Sequence, residues 1–181
     1  DLTQRKRVEE ERLLNAERDR LLAQIALRIR RSLNLEEILQ TTVAEVRQVL
    51  DCDRVFITVL NQQSQSNVEA ESIAPNYESI LGLLRCNQTY INELRSLFKT
   101  GNVQVINDTS IAKVSPLRKQ YFAHYHVKAC MPLSIMIKET LYGNLVVHIC
   151  ISIRHWHTFD IDLQYAITQQ LATFHTRYTI F

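Results

Sequence analysis

Residues 107–129 read NDTSIAKVSPLRKQYFAHYHVKA, and the rest of the chain is organised around them. The preceding VQVI (103–106) has the β-branched alternation of a strand and ends in a polar turn. Ser115-Pro116 then opens a short helix, because the missing proline N–H would be unpaired in a first turn anyway. That helix carries Leu117, Tyr121, Phe122 and Tyr125 on apolar or aromatic faces. Strand, loop and helix, with two tyrosines, two histidines and Arg118, read as a lid covering a hollow beside a sheet.

Downstream, Lys128 to Ile137 (KACMPLSIMI) is apolar enough for a central strand, but Pro132 would interrupt its ladder and points to an edge or bulge. Glu139-Thr140 turns into Leu141 to Ile153, the longest apolar stretch. After the polar His155 to Thr158, Thr158 is placed to cap a closing helix with Phe159, Ile161, Leu163, Ile167, Leu171 and Phe174 spaced for burial. Upstream, residues 1–33 read as one long helix, charged at first, then striped by Leu14, Leu21 or Leu22, Ile25, Ile29 and Leu33. It is either paired with a second copy or solvated. Asn34 caps a second amphipathic helix, with Glu37 completing a capping box. RVFITVL (54–60), polar NQQSQSN (61–67) and VEAESI (68–73) form a hairpin, and a further helix is expected over Tyr90–Phe98, stopping at Gly101. The fold class is α+β: one antiparallel sheet of five or six strands, long terminal helices on one face, lid on the other.

Hydrophobic residues at 46% and charged residues at 22% suit a globular domain, and a net charge of +2 argues for neither nucleic acid nor an anionic membrane. With 3 Gly, a glycine-rich phosphate cradle is disfavoured. The four cysteines, Cys52, Cys86, Cys130 and Cys150, have no metal spacing and read as buried free thiols in a reducing compartment. The charged opening is no secretory leader and no apolar run reaches a membrane span, so the expected location is the cytoplasm, as a piece of a longer protein. Catalytic motifs such as GxSxG, a P-loop or HExxH are absent, and the two HxH pairs (124/126 and 155/157) are weak metal candidates, so no enzyme is expected.

RDRLLAQIALRIRRSLNLEEILQTTVAEVRQVLDCDRVFI, ESIAPNYESILG, INDT, VKA, LYGNLVVHICISIRHWHTFDIDLQ and QQLAT together resemble a GAF domain. More narrowly they resemble the bilin-binding GAF domains of cyanobacteriochromes and phytochromes. The resemblance implies a GAF fold over 34–181, a dimerisation and signalling helix over 1–33, and a homodimer through the terminal helices. It also implies an adjacent output domain of kinase, cyclase or chemoreceptor type. Pigmented members hold a linear tetrapyrrole by a thioether to a Cys followed by His. Here Leu117 falls at that Cys and Arg118 at that His, so the thioether cannot form. A second family Cys falls in Asn87-Gln88-Thr89-Tyr90, also without a thiol, with Cys86 three positions early.

The resemblance places Asp108 in the loop beneath the pyrrole nitrogens and His148 in the pocket lining, with Tyr121 and Tyr125 on the lid. These residues could hold a bilin without a bond, or His148 is a satisfied interior histidine. Arg118 and Lys119 read as a solvated face rather than as a clamp on the propionates. The expected role is therefore a non-catalytic sensory or regulatory domain without covalent pigment. The alternatives are a receptor for a non-covalent bilin or cyclic nucleotide, and a module docking through exposed Tyr77, Tyr90 and Trp156.

Overall fold

Helical spacing at both ends of the chain and strand alternation between them build one sheet with a helical layer and a lid. The computed structural model describes residues 1–32, 34–61, 63, 65–81, 92, 93, 96 and 104–178. Helix α1 (Leu2–Arg31) starts at Asp1, whose carboxylate accepts the Thr3 N–H at 3.1 Å. Helix α2 (Leu35–Leu50) starts at Asn34, whose side chain accepts the Glu36 N–H at 2.8 Å. The capping box with Glu37 does not close. Glu37 accepts the Ser32 hydroxyl at 2.7 Å instead, because Ser32 is buried at the α1–α2 corner and needs a partner. Two further helices follow, α3 (Pro116–His124) and α4 (Thr158–Tyr178). Thr158 is the first helical residue of α4 rather than its cap, and Asp160 closes that end by accepting the His157 N–H at 3.0 Å.

Strands β1 (Arg54–Leu60), β2 (Ser66–Ile73), β3 (Ala129–Ile137) and β4 (Thr140–Ile149) form an antiparallel sheet in the order β2-β1-β4-β3. Among the described residues the sheet has four strands, not the five or six expected. The described part of the expected 103–106 strand makes a single antiparallel bridge, Ile106 to Cys130. A lone bridge forms there because the chain leaves at once for the Asn107–Ser110 turn, with Asp108 accepting from Ser110. The helix expected over Tyr90–Phe98 lies largely outside the described residues, as does Leu33. β3 is an edge strand of this sheet, the position where Pro132 can lack its N–H. Lys138 and Glu139 form the two-residue turn from β3 into β4 with φ of 48° and 65°. These left-handed values match the twist of the hairpin.

Alternation divides the sheet into two chemistries. Val55, Ile57, Met131, Leu145, Val147 and Ile149 face the helices and meet Ile25, Ile29, Ile38, Val43, Val46, Leu163 and Ile167 in one core. Phe56, Val146 and Cys130 face the other way, toward Ile80, Ile106, Phe122 and Val127. In β2 the register slips between Ile57 and Thr58, which leaves Glu69 as the extra residue. That bulge lets Val68 join the lid side while Ala70 joins the helix side. Gly143 lies where β4 crosses β1: a Cβ there would stand 1.9 Å from the Thr58 carbonyl oxygen. Among the described residues no helix is long and apolar enough to cross a membrane.

Candidate functional site

The lid-side face carries the polar residues. Arg54 begins β1 directly opposite His148 on β4, and His148 lies opposite Cys130 on β3. Four residues further along β1, Thr58 opposes Asn144, whose amide donates to the Thr58 hydroxyl at 3.3 Å. Phe56 and Val146 oppose one another between these two pairs. Beads of polar chemistry thus sit on an apolar floor, as a period of two dictates.

His148 is 1% exposed. Its Nδ1 is 3.4 Å from the Arg54 Nη1, and since a guanidinium can only donate, Nδ1 is the acceptor and Nε2 carries the hydrogen. Burial first, then the Arg54 charge, hold its pKa well below the ordinary 6.5, so the ring is neutral. Phe56 meets it edge-on at 5.1 Å between ring centres and Tyr121 at 5.9 Å. Nε2 has no hydrogen-bond partner among the described residues.

Arg54 is itself 1% exposed. It donates to the Glu78 carbonyl at 2.9 Å, lies 3.8 Å from the Glu71 carboxylate and sits over the Tyr125 ring at 5.8 Å. Glu71 in turn accepts the Ser79 hydroxyl at 2.5 Å and the Ile80 N–H at 2.9 Å. This buried pair ties the segment after Pro75 onto the sheet and drives Ile80 fully into the lid-side cluster. Neither Arg54 nor Glu71 was among the expected site residues. The available signal was an arginine two positions before Phe56 on an alternating strand, hence on the same face.

On the lid, Ser115 caps α3 by accepting the Arg118 N–H at 3.2 Å, and Pro116 occupies its first turn as expected. Leu117 is half-buried. Arg118 corrects the expectation of a solvated face: it is 3% exposed, donates to the Gln104 side chain at 2.6 Å and lies over the Phe122 ring at 5.4 Å. The short turn of α3 points it inward onto the Ile106 segment, while Lys119 stays exposed. Tyr121 and Tyr125 meet at 4.9 Å between ring centres, tilted by 55°, and close over His148 and Arg54. Asp108 stands apart from this group: its Oδ1 accepts both the Ser110 N–H at 2.9 Å and the Ser110 hydroxyl at 2.6 Å, which lowers its pKa. Trp156 is buried rather than an exposed docking aromatic, its Nε1 donating to the Ile106 carbonyl at 3.0 Å. Tyr77 is half-buried, and Cys86, Tyr90 and the 87–90 segment lie outside the described residues.

The structure thus brings Arg118, Tyr121, Tyr125 and His148 to one side of the sheet, adds Arg54 and Glu71, and leaves Asp108 at the rim. Burial pushes the Cys130 thiol up to about 12 and Cys150 up to about 11, and Cys52 on the opposite face is also raised to about 12.

Residues 34–173 match the GAF domain family. The chain belongs to that family. Among curated relatives, this GAF domain is 27% identical over 162 residues to a putative methyl-accepting chemotaxis protein of Synechocystis, a match covering 90% of the chain and 16% of the relative. It is 26% identical over 176 residues to the circadian input-output histidine kinase CikA of Synechococcus elongatus, covering 86% and 23%. The chain therefore spans less than a quarter of these relatives' length. Among solved structures it is 29% identical to the phycocyanobilin-bound GAF domain from a cyanobacterial phytochrome, with a TM-score of 0.78 over 89% of this chain and 97% of the other. That neighbour is a bilin-bound GAF domain, and the two relatives are signalling proteins of cyanobacteria by name.

Proposed function

We propose that this GAF domain is a non-catalytic sensory or regulatory module that works without a covalent pigment. One observation carries the reading: both thiols described on the lid side of the sheet are held protonated by burial, and the resemblance aligns the attachment position with Leu117. A leucine has no nucleophile and a thiol with a raised pKa is a poor one. Signal relay then belongs to the helices. α1 and α4 pack together through Arg18 and Asp162 at 3.1 Å and share the core with the sheet, so a shift on the lid side reaches them through packed strands. The reading places the domain in the cytoplasm as a homodimer through its terminal helices, beside a kinase, cyclase or chemoreceptor-type output domain. The names of the relatives support the output domain.

A second reading has its own support. Arg54 Nε, Arg118 Nε and His148 Nε2 are buried donors without a hydrogen-bond partner among the described residues. Buried unpaired donors are costly, by about 1–3 kcal/mol each, and a ligand that accepts from them removes the cost. A bilin held without a bond, or a cyclic nucleotide, supplies such acceptors. Co-expression with a bilin biosynthetic pathway separates the readings. A colourless protein supports the scaffold, and colour lost in acid denaturant supports the non-covalent receptor. A tetrapyrrole that stays on the polypeptide through denaturing electrophoresis overturns both.

A further inference from the structure

The end of the domain at which α4 begins carries an exposed surface beside the outer side of the lid. Two clefts, of about 320 Å³ and 470 Å³, flank the loop 107–113. Phe122 and Val127 lie at the bottom of the first, Ile106 and Ala112 at the bottom of the second. Around them Ile111 is 80% exposed, Ile153 55%, and Ile151, in the same loop as Ile153, 77%. Lys119 and Lys128 line the first cleft, Lys113 the second. None of the three lysines is within ion-pairing distance of a carboxylate among the described residues. The carboxylate lining these clefts is that of Asp108, already engaged by Ser110. An apolar surface ringed by free cations fits an apolar segment with free carboxylates.

The chain itself carries such a segment. Arg18 pairs with Asp162, the fifth residue of α4, and the buried residues of α1, Ile25 and Ile29, come after it. The half of α1 before Arg18 is exposed throughout, and Arg18 anchors it beside the start of α4, a few residues after the Ile153–His155 stretch that lines the second cleft. From Leu2 to Glu17 it reaches about 24 Å. It contains VEEERLL (8–14), in which Val8, Leu13 and Leu14 are 59%, 58% and 56% exposed. Glu9 is bonded to Arg12, whereas Glu10 and Glu11 pair with no cation among the described residues. Glu10, Leu13 and Leu14 are three and four positions apart and share one face of the helix.

We propose that, in the homodimer, residues 8–14 of one copy dock across the 107–113 and 151–155 loops of the other, reciprocally. Glu10 and Glu11 meet Lys113 and Lys128, and Leu13 and Leu14 cover Ile111 and Ile153. This docking rests on the dimer reading above but assigns it a geometry in which α1 seats on its partner's domain rather than winding around its partner's α1.

Sedimentation velocity at low salt tests it with two charge reversals, Glu10→Lys/Glu11→Lys and Lys113→Glu/Lys128→Glu, and their combination in one chain. Each reversal alone is expected to weaken the dimer by roughly tenfold, and the combination to restore it. Ile111→Ser is expected to weaken it without moving the melting temperature. Reversals that leave the dimer unchanged, while Leu14→Ser dissolves it, overturn the docking and leave a helix-to-helix dimer standing. Reversals that weaken the dimer without rescue in the combination also overturn it. A wild-type chain that is monomeric, or monomeric and bound to phosphatidylserine vesicles, overturns docking and dimer together.

Discussion

Arg54 and His148 illustrate how one residue's energetics are decided by its neighbours. Arg54 is buried beside Glu71 and bonded to the Glu78 carbonyl, so Arg54→Ala leaves a buried carboxylate without its cation. Breaking a buried pair from one side costs about 3–5 kcal/mol, and urea denaturation is expected to show a loss in that range. Gly143→Ala acts by a different mechanism. Its Cβ would collide with backbone at the Thr58 carbonyl, forcing β1 and β4 apart, with an expected loss of about 2–3 kcal/mol by the same measurement. His148 supplies a pH dependence whose sign follows from its lowered pKa. The unfolded imidazole takes a proton near 6.5, whereas the buried ring resists one until well below that. The unfolded state therefore binds more protons as pH falls through 6.5, and stability declines by up to about 1.4 kcal/mol per pH unit below that point. Above it the residue contributes no slope. Denaturation midpoints at pH 7.5, 6.0 and 5.0 are expected to fall less steeply in His148→Gln.

At the scale of elements, the β3–β4 hairpin is the clearest case of a cost borne locally. Lys138 and Glu139 both occupy left-handed backbone, where side chains with a Cβ are disfavoured. Lys138→Asn with Glu139→Gly suits the same turn without that strain and is expected to add about 1 kcal/mol, read as a melting temperature several degrees higher. Helix α3 shows what local rules predict well. Ser115 caps it and Pro116 opens it, both visible before any fold is known. Its inward-facing side is another matter. Arg118 is buried because α3 lies across Ile106 and Gln104, partners brought near by the Ile106–Cys130 bridge. No local pattern around position 118 states that. The same holds for Trp156, whose burial depends on accepting strands from elsewhere in the chain.

For the whole molecule, the question is how a fold shared with pigment-binding proteins operates with Leu117 on its lid. Leu117 stands in the first turn of α3, where a thiol would be favoured as thiolate by the helix terminus. Leu117→Cys with Arg118→His, co-expressed with a bilin pathway, is expected to give partial covalent attachment, read as zinc-dependent fluorescence of the denatured band. The wild type is expected to show none, and a dark band from the double variant would mean that the lid-side interior is closed to the pigment.

The chain's own patterning was enough to determine the α+β class, the order of the described helices and strands, and the restriction of Pro132 to an edge or a bulge. These depend on periods of two and 3.6, on caps, and on which atoms a side chain possesses, all of which are local. Tertiary structure alone decided that Arg54 and Glu71 belong to the lid side, that Arg118 turns inward, that Asp108 stays at the rim, and that the strand ending at Ile106 makes a single bridge among the described residues. The physical reason is that burying a charge depends on which distant groups arrive to pair with it. Strand register and the crossing of α3 over the sheet supply those groups, and neither is written in the residues next door.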